Sequence, residues 1–229
     1  MASKIDDAII LAAGRGIRMR PLTDNLPKAM APFNGSTLIY EGIKQIRDKI
    51  KNVYITVGHK KSILASHVIE KNVSAVINTN KKGNAWWIYN SLLKYIDKPL
   101  LVLTCDNLIK LDFNSLIEEY INMGSPHCMI VPTKPIKGIS GDYIFKTKKN
   151  LITKLSRKSK SNLYCSGIQI LNIKLILRDT NKCNDFKILW KQLINKKLLY
   201  CSNTLPFSWY SIDIASSRLV IFYKISISF

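Results

Sequence analysis

The chain has 229 residues, enough for one substantial domain, and its 47% hydrophobic and 22% charged residues are ordinary for a globular protein. No apolar run approaches the about 18 residues that a membrane-spanning helix needs, so we expect no membrane partner. The net charge of +20 favours anionic partners, but its lysines are scattered as pairs over faces that we expect to be solvated, which disfavours nucleic acid as the partner.

The first half of the chain alternates strand-like apolar runs with helical patterns. Strands are predicted at 8–12, 53–57, 74–77, 100–104 and 128–132, and helices at 60–71, 85–95 and 114–122. A further helix carries Ile39, Ile43, Ile46 and Ile50 at three- and four-residue spacing, after Ser36 as a candidate N-cap. This alternation predicts an α/β fold class, a three-layer α/β/α Rossmann-like domain with a mostly parallel central sheet.

The pattern changes after residue 135. Short strands are predicted at 143–146, 152–155, 166–171 and 198–202, with one helix at 185–196. These strands indicate a small mixed β extension of the central sheet. Because no linker, repeat or low-complexity segment interrupts the chain, we expect a single domain over residues 1–229.

The five cysteines are widely spaced, odd in number and without a Cys-x-x-Cys pair. That pattern argues against a disulfide framework and against a structural zinc site, and for a reducing compartment. We therefore expect a cytoplasmic protein.

A glycine-rich basic loop begins where the first predicted strand ends, the edge of a parallel sheet at which ligands bind. A dinucleotide fingerprint would need a third glycine at position 19, and a P-loop would need Gly-Lys-Ser/Thr at 19–21, but these positions hold Met-Arg-Pro. With both of these loop types excluded, the feature that remains to be interpreted is Gly-x-Gly-x-Arg, formed by Gly14, Gly16 and Arg18. Glycines permit close backbone approach and guanidinium groups grip phosphate oxygens, so the loop predicts a phosphate-chain site.

The loop resembles the signature of the sugar-phosphate nucleotidyltransferase family, LAAGxGxR(L/M)xPLTxxxPK, in the stretch LAAGRGIRMRPLTDNLPK at 11–28. The resemblance implies that Arg18 binds the β- and γ-phosphates of a nucleoside triphosphate and assists pyrophosphate departure, and that Lys28 holds a phosphate near the reacting centre. Ile17 stands where the family usually has Ser or Thr. The nucleotide-binding loop that the resemblance implies consists of Leu11, Ala12, Ala13, Gly14, Arg15 and Gly16.

The resemblance also implies a Mg²⁺ site. Asp106 follows a fully apolar predicted strand and resembles the first carboxylate ligand of the family, although Cys105 replaces the usual glycine before it. Asp213, in SWYSIDIASSRL, resembles the second carboxylate in either of two registers, one of sugar-type enzymes and one of phosphocholine-type cytidylyltransferases. A divalent ion held by carboxylates would neutralise charge on the phosphate under attack.

The substrate-facing elements match the family less well. Gly83 resembles the start of a nucleotide-facing element, in which Trp86 and Trp87 replace small residues and either stack on a ligand or pack in the core. On the acceptor side, the resemblance implies Lys158 as a phosphate ligand and Gly167 as part of the acceptor strand. Arg157 replaces the family's glutamate, which leaves the identity of the acceptor open.

Together the resemblance implies a Mg²⁺-dependent nucleotidyltransferase of the EC 2.7.7 type. It would join a nucleoside triphosphate to a phosphorylated small molecule, most readily a sugar 1-phosphate for polysaccharide precursors, with a nucleotide-binding half at 1–135, an acceptor-binding half at 136–219 and a tail at 220–229. Alternatives are cytidylyl transfer to a phosphocholine-like phosphomonoester and a degenerate nucleotide-binding homologue without turnover. The sequence leaves open which base the nucleoside triphosphate carries and whether the protein forms a homo-oligomer.

Overall fold

A computed structural model describes residues 5–139 and 141–212 of the chain. Asp213, the expected second carboxylate ligand, and the 220–229 tail lie outside the described residues. Within the described part, no helix has both the length and the apolar character needed to cross a bilayer.

The described chain contains thirteen strands, which we number in order. They are β1 Asp7–Leu11, β2 Pro32–Phe33, β3 Ser36–Thr37, β4 Asn52–Val57, β5 Ala75–Asn78, β6 Leu100–Thr104, β7 Asn107–Lys110, β8 Cys128–Thr133, β9 Tyr143–Lys146, β10 Ile152–Ser156, β11 Tyr164–Leu171, β12 Leu199–Cys201 and β13 Ser208–Ser211.

Seven α-helices connect the strands of the described part. They are α1 Leu22–Asn25, α2 Leu38–Arg47, α3 Lys61–Ile69, α4 Trp86–Asn90, α5 Phe113–Asn122, α6 Ile173–Asp179 and α7 Phe186–Asn195. Short 3₁₀ helices cover Ile17–Met19, Lys28–Met30 and Leu92–Tyr95.

One nine-stranded sheet forms the middle of the fold. Its order is β10-β9-β11-β6-β1-β4-β5, with β8 pairing both β11 and β12. The β6-β1-β4-β5 part is entirely parallel, whereas β11, β9 and β10 pair antiparallel. The predicted fold class is confirmed, and the antiparallel strands are the β extension that the second half of the sequence indicates.

Each face of the sheet is covered by its own helices, because successive strand residues point to opposite faces. In β1, Ile10 packs in the core with α2, α3 and α5, while Ile9 packs in a second core with α4, α6 and α7. These two cores make the three layers that the alternation of strands and helices predicts.

Several element boundaries differ from the sequence prediction. The helix expected at 85–95 is broken at Ser91, whose hydroxyl donates to the Trp87 carbonyl and accepts from the Leu93 N–H, so that a 3₁₀ turn follows α4. The N-cap of α2 is Thr37 rather than Ser36, which lies in β3. Strands β7 and β13 and helix α6 were not predicted.

The carboxylate of Glu119, on α5, fixes the chain between β12 and β13. It accepts hydrogen bonds from the Ser202 hydroxyl, from the Asn203 N–H at 2.7 Å and from the Thr204 hydroxyl at 2.8 Å. Burial alone would raise the Glu119 pKa, but these hydrogen bonds outweigh it and lower the pKa from its ordinary value of 4.5.

We expect Glu119→Gln to lower the free energy of unfolding at neutral pH by about 2–3 kcal/mol, because an amide cannot accept all of these hydrogen bonds. A lowered pKa in the folded state stabilises the protein above the ordinary value of 4.5, and this contribution is lost as the pH falls through the folded-state pKa. Urea unfolding of the wild type and of Glu119→Gln from neutral to acidic pH should therefore show that their difference in free energy of unfolding becomes smaller in acid. Glu118→Gln, on the exposed neighbouring residue, serves as the control, and a difference that stays constant into acid would contradict the assignment.

Candidate active site

The carboxyl ends of β1, β4 and β6 meet at one edge of the sheet. Leu11 at the end of β1 lies in parallel register with both Thr56 of β4 and Thr104 of β6. The Cys105 N–H donates to the Leu11 carbonyl at 3.1 Å, and the Ala12 N–H donates to the Thr56 hydroxyl at 2.9 Å. The loop after β1 therefore starts beside the segment that carries Asp106.

Gly16 allows this loop to turn back onto itself. Its φ of +63° is left-handed, and a Cβ built there would lie 2.8 Å from the Lys28 Cβ and 2.9 Å from the Thr23 Cγ2. The Gly16 carbonyl accepts from the Met19 N–H and from the Thr23 hydroxyl, both at 2.8 Å. The glycine thus brings the Lys28 segment directly behind the loop.

Lys28 and Asp106 form an ion pair at the centre of the site. The Lys28 Nζ lies 2.6 Å from the Asp106 Oδ2, and the two side chains are only 11% and 25% exposed. Partial burial strengthens such a pair, since little water screens it. Lys28 and Asp106, to which the family resemblance gives roles, are 78 positions apart in the sequence and in direct contact in the structure.

Two neighbouring cavities open at this edge of the sheet. The first, of about 450 Å³, is lined by Gly14, Arg15, Gly16, Ile17, Arg18, Lys28, Cys105 and Asp106 among others. We call it the phosphate cavity, because its walls combine a bare glycine backbone with three cationic side chains. Ile17 is largely exposed there, and Cys105 is buried.

The second cavity, of about 350 Å³, lies between the loop after β1 and the ends of β4 and β5. Leu11, Gly14, Arg15 and Asn84 line both cavities. We call the second one the base cavity, for the place that the base of a nucleotide would take if its phosphates lay in the phosphate cavity. Its remaining walls are Ala13, Thr56, His59, Thr79, Asn80, Lys81, Lys82, Gly83 and Trp87.

Gly83 and Trp87 form part of the wall of the base cavity. A Cβ on Gly83 would lie 1.9 Å from the Asn184 carbonyl oxygen, so the glycine is needed for close packing against the chain before α7. Trp87 is fully buried and its indole N–H donates to the Asn84 carbonyl at 2.9 Å. Of the two roles considered for the tryptophans, core packing is the one that Trp87 fulfils, although an edge of it also lines the base cavity.

Gly167, on β11, lies against the strand end that carries Asp106. Its φ is +87°, and a Cβ there would lie 2.6 Å from the Asn107 Nδ2. The Asn107 amide donates to the Thr104 hydroxyl at 2.7 Å and to the Ser166 carbonyl at 2.5 Å. These contacts fix β11 beside the strand end that carries Asp106, and the acceptor role of Gly167 stays a prediction.

An aromatic cluster supports β11 from behind. The Trp209 indole N–H donates to the Ser166 carbonyl at 2.7 Å, and its ring packs edge-on against Tyr164 at 6.2 Å between ring centroids. Burial raises the pKa of Tyr164 to about 12, so its hydroxyl stays protonated at neutral pH. The cluster therefore acts as a neutral wall that holds the strand in place.

Lys158 is not brought to either cavity. It is exposed in the turn after β10, and its backbone N–H is held by the Ser156 hydroxyl at 3.2 Å. The neighbouring Arg157 pairs with Asp142 at 3.4 Å. Lys158 as an acceptor ligand therefore stays a prediction.

The described side chains fit a magnesium ion that is shared with a substrate. No group of three or more His, Cys, Asp or Glu residues that could hold a metal exists in 5–139 and 141–212. Among the described residues that line the phosphate cavity, Asp106 is the one carboxylate. Mg²⁺ is commonly held by one or two carboxylates together with substrate phosphates, and Asp106 beside a phosphate cavity meets that requirement.

Sequence reasoning missed several residues of these walls, above all His59, Thr79 and Asn80 in the base cavity and Thr104 in the phosphate cavity. His59 follows β4, and Thr79 and Asn80 follow β5, at the same edge where Asp106 follows β6. The rule that ligands bind at the carboxyl ends of parallel strands, applied to every strand, would have found them.

The model of the nucleotidyl transferase family matches residues 7–167, well over half of the chain. The bifunctional protein GlmU of Methanocaldococcus jannaschii is 27% identical over 173 residues, which are 74% of this chain and 40% of GlmU. The UTP–glucose-1-phosphate uridylyltransferase AglF of Haloferax volcanii is 26% identical over 116 residues, 49% of this chain and 48% of AglF. The matches thus span less than half the length of these two relatives.

Solved structures of the same fold align over nearly the whole chain. The inositol-1-phosphate CTP transferase of T. maritima superposes with a TM-score of 0.78 at 17% identity, covering 98% of this chain and 96% of that one. The CTP:phosphocholine cytidylyltransferase of Streptococcus pneumoniae superposes with a TM-score of 0.75 at 22% identity, covering 96% and 98%. At these identities the likeness establishes the fold.

We expect Gly16→Ala to lower the free energy of unfolding by at least about 1–2 kcal/mol, the cost of a left-handed conformation for a residue with a Cβ. The new methyl group would also push the Lys28 segment, which lies 2.8 Å away. Gly14→Ala is the matched control, since a Cβ there meets no atom within 4 Å, and its effect should stay within about 0.5 kcal/mol. Equal urea midpoints for the two variants would show that the loop is not held as described.

Proposed function

The chain belongs to the nucleotidyl transferase family, and from this premise we propose that it transfers a nucleotidyl group from a nucleoside triphosphate to a phosphorylated small molecule, releasing pyrophosphate. The observation that carries the proposal is the Lys28–Asp106 pair beside the glycine loop, which gathers cations and one carboxylate around a single phosphate cavity. Such transfer needs little acid–base chemistry, because the attacking phosphate is already ionised. Positioning and charge neutralisation supply the rate.

The proposed reaction assigns a role to each charged residue. An oxygen of the acceptor phosphate attacks the α-phosphorus in line, and the bond to the β-phosphate oxygen breaks as pyrophosphate leaves. Arg18 neutralises charge on the β- and γ-phosphates, and Lys28 holds a phosphate oxygen near the reacting phosphorus. The bare backbone of Gly14 allows the phosphate chain to lie close to the end of β1.

We further propose Mg²⁺ as the cofactor, with Asp106 as its ligand in the described part of the chain. When bound, the ion would neutralise negative charge on the phosphate under attack. Asp213 is proposed as a second ligand from the family resemblance alone. Without the ion, Asp106 is neutralised by Lys28, so the carboxylate is not left uncompensated in a partly buried position.

A sugar 1-phosphate is our first choice of acceptor. Glucose-1-phosphate adenylyltransferase 2 of Vibrio parahaemolyticus, 28% identical over 151 residues, and AglF both carry glucose 1-phosphate in their names. A phosphocholine-like phosphomonoester with CTP is the second candidate, and the superposition with the pneumococcal cytidylyltransferase over 96% of this chain favours keeping it. None of the five cysteines, all of which lie in the described part of the chain, forms a disulfide, and four of them are buried, which supports our expectation of a cytoplasmic enzyme.

Pyrophosphate release with each of the four common nucleoside triphosphates, measured against a panel of sugar 1-phosphates and phosphocholine, tests the function. We expect release with at least one pair and with none when the acceptor is omitted. Turnover with a sugar 1-phosphate supports the first choice of acceptor, and turnover with CTP and phosphocholine alone supports the second. Silence for every pair in the presence of Mg²⁺ would favour a nucleotide-binding homologue without turnover.

Asp106→Asn should lower the rate of pyrophosphate release at least about 100-fold, because a neutral amide neither pairs with Lys28 nor holds a divalent cation well. The variant should keep the circular dichroism spectrum of the parent. Asp97→Asn applies the same change to a carboxylate that is 84% exposed, and its rate should equal that of the parent. A normal rate for Asp106→Asn would refute both the metal assignment and the central role of the pair.

A further inference from the structure

A third cavity, of about 370 Å³, lies between β10 and α7 and shares no lining residue with the phosphate cavity or the base cavity. We propose that it is a second binding site, for a small molecule that carries at least two negative charges. The proposal stands on the charges that line this cavity and does not depend on the catalytic function.

Helix α7 presents two lysines to the cavity at some electrostatic cost. Lys187 and Lys191 lie four residues apart, so they share one face and repel each other. Lys187 also lies in the first helical turn, where the helix dipole disfavours a positive charge. In the part of the chain that the structure describes, neither lysine makes an ion pair with a carboxylate, so a bound anion would offset both penalties.

The opposite wall adds further positive charge. Lys154 and Arg157 reach the cavity from β10 and the turn after it, and the carboxylate among the described lining residues is Asp142. Asp142 contacts Arg157 at 3.4 Å, a long distance for an ion pair, and the Lys154 ammonium donates to the Ser159 hydroxyl at 3.0 Å. Four cationic groups therefore face one carboxylate, an excess that matches a ligand with several negative charges.

Trp190 provides a fixed apolar wall between these charges. Its indole N–H donates to the Gln169 Oε1 at 2.9 Å, and its ring stacks on Phe186 at 5.6 Å between centroids. A ring held in this way can pack against the body of an organic anion without first being ordered. The cavity volume lies within the range of small-molecule sites, about 300–1,000 Å³.

Isothermal titration calorimetry of the full chain with inorganic pyrophosphate, and separately with citrate, tests the proposal. We expect the wild-type protein to bind a probe at two sites. The first is the phosphate cavity, where binding is lost in Arg18→Ala. The second is the cavity beside α7, where binding persists in that variant. The Lys187→Ala, Lys191→Ala double variant should weaken the second site roughly 100-fold, as the loss of two charge-assisted contacts implies. The matched control is Lys148→Ala with Lys149→Ala, an exposed adjacent pair in the turn between β9 and β10, which should retain both sites.

The two probes identify the anion. Binding of pyrophosphate alone at the second site indicates a phosphorylated occupant, and binding of citrate alone indicates a carboxylated one. The proposal is overturned if both probes titrate the Lys187 and Lys191 double variant as they titrate the wild type, or if Arg18→Ala abolishes all binding of both probes. The first of these results would leave the proposed function intact, since that function is tested separately by pyrophosphate release and by Asp106→Asn.

Discussion

The candidate site depends on the register in which β1 is hydrogen-bonded between β4 and β6. This register places Leu11 beside Thr56 on one side and Thr104 on the other, so three strands end together. The glycine loop leaves the sheet next to the turn that carries Asp106. A hydrogen bond from the Cys105 N–H to the Leu11 carbonyl joins these two segments. A shift by one residue would move the buried side chains of β1 to the wrong faces, so the two apolar cores hold the register in place.

The strand register brings Lys28 and Asp106 together as an ion pair, which is the centre of the candidate site. The chain has a net charge of +20, and in this pair the Asp106 carboxylate lies 2.6 Å from the Lys28 ammonium. Arg15 and Arg18 line the same cavity. In the proposed reaction, a phosphate that enters this cavity would compete with Asp106 for the lysine, and a cation on Asp106 would release the lysine to the phosphate. The pair thus compensates two partly buried charges, at the place where we propose that the substrate phosphates bind.

Much of the fold could be predicted because its signals are local. The bounds of β6 and β9 agree with the apolar and β-rich runs at 100–104 and 143–146. The glycine loop was found from its residue types and from the family signature, both of which lie within one short stretch of sequence. The break at Ser91 was missed, since it depends on which backbone groups one hydroxyl contacts. Strand β13 was missed because it pairs with β7, about a hundred residues earlier, and strand pairing depends on context more than on propensity.

In the proposed complex, the triphosphate lies where β1 ends, between the glycine loop and Asp106. A crystal structure of the chain with the nucleoside triphosphate that it binds most tightly tests this directly. The phosphates should lie over the backbone of Gly14, with Arg18 and Lys28 within hydrogen-bonding distance of their oxygens and Asp106 facing the same phosphate chain. Phosphates bound at another place, with Arg18 and Asp106 directed away from them, would refute this placement of the triphosphate.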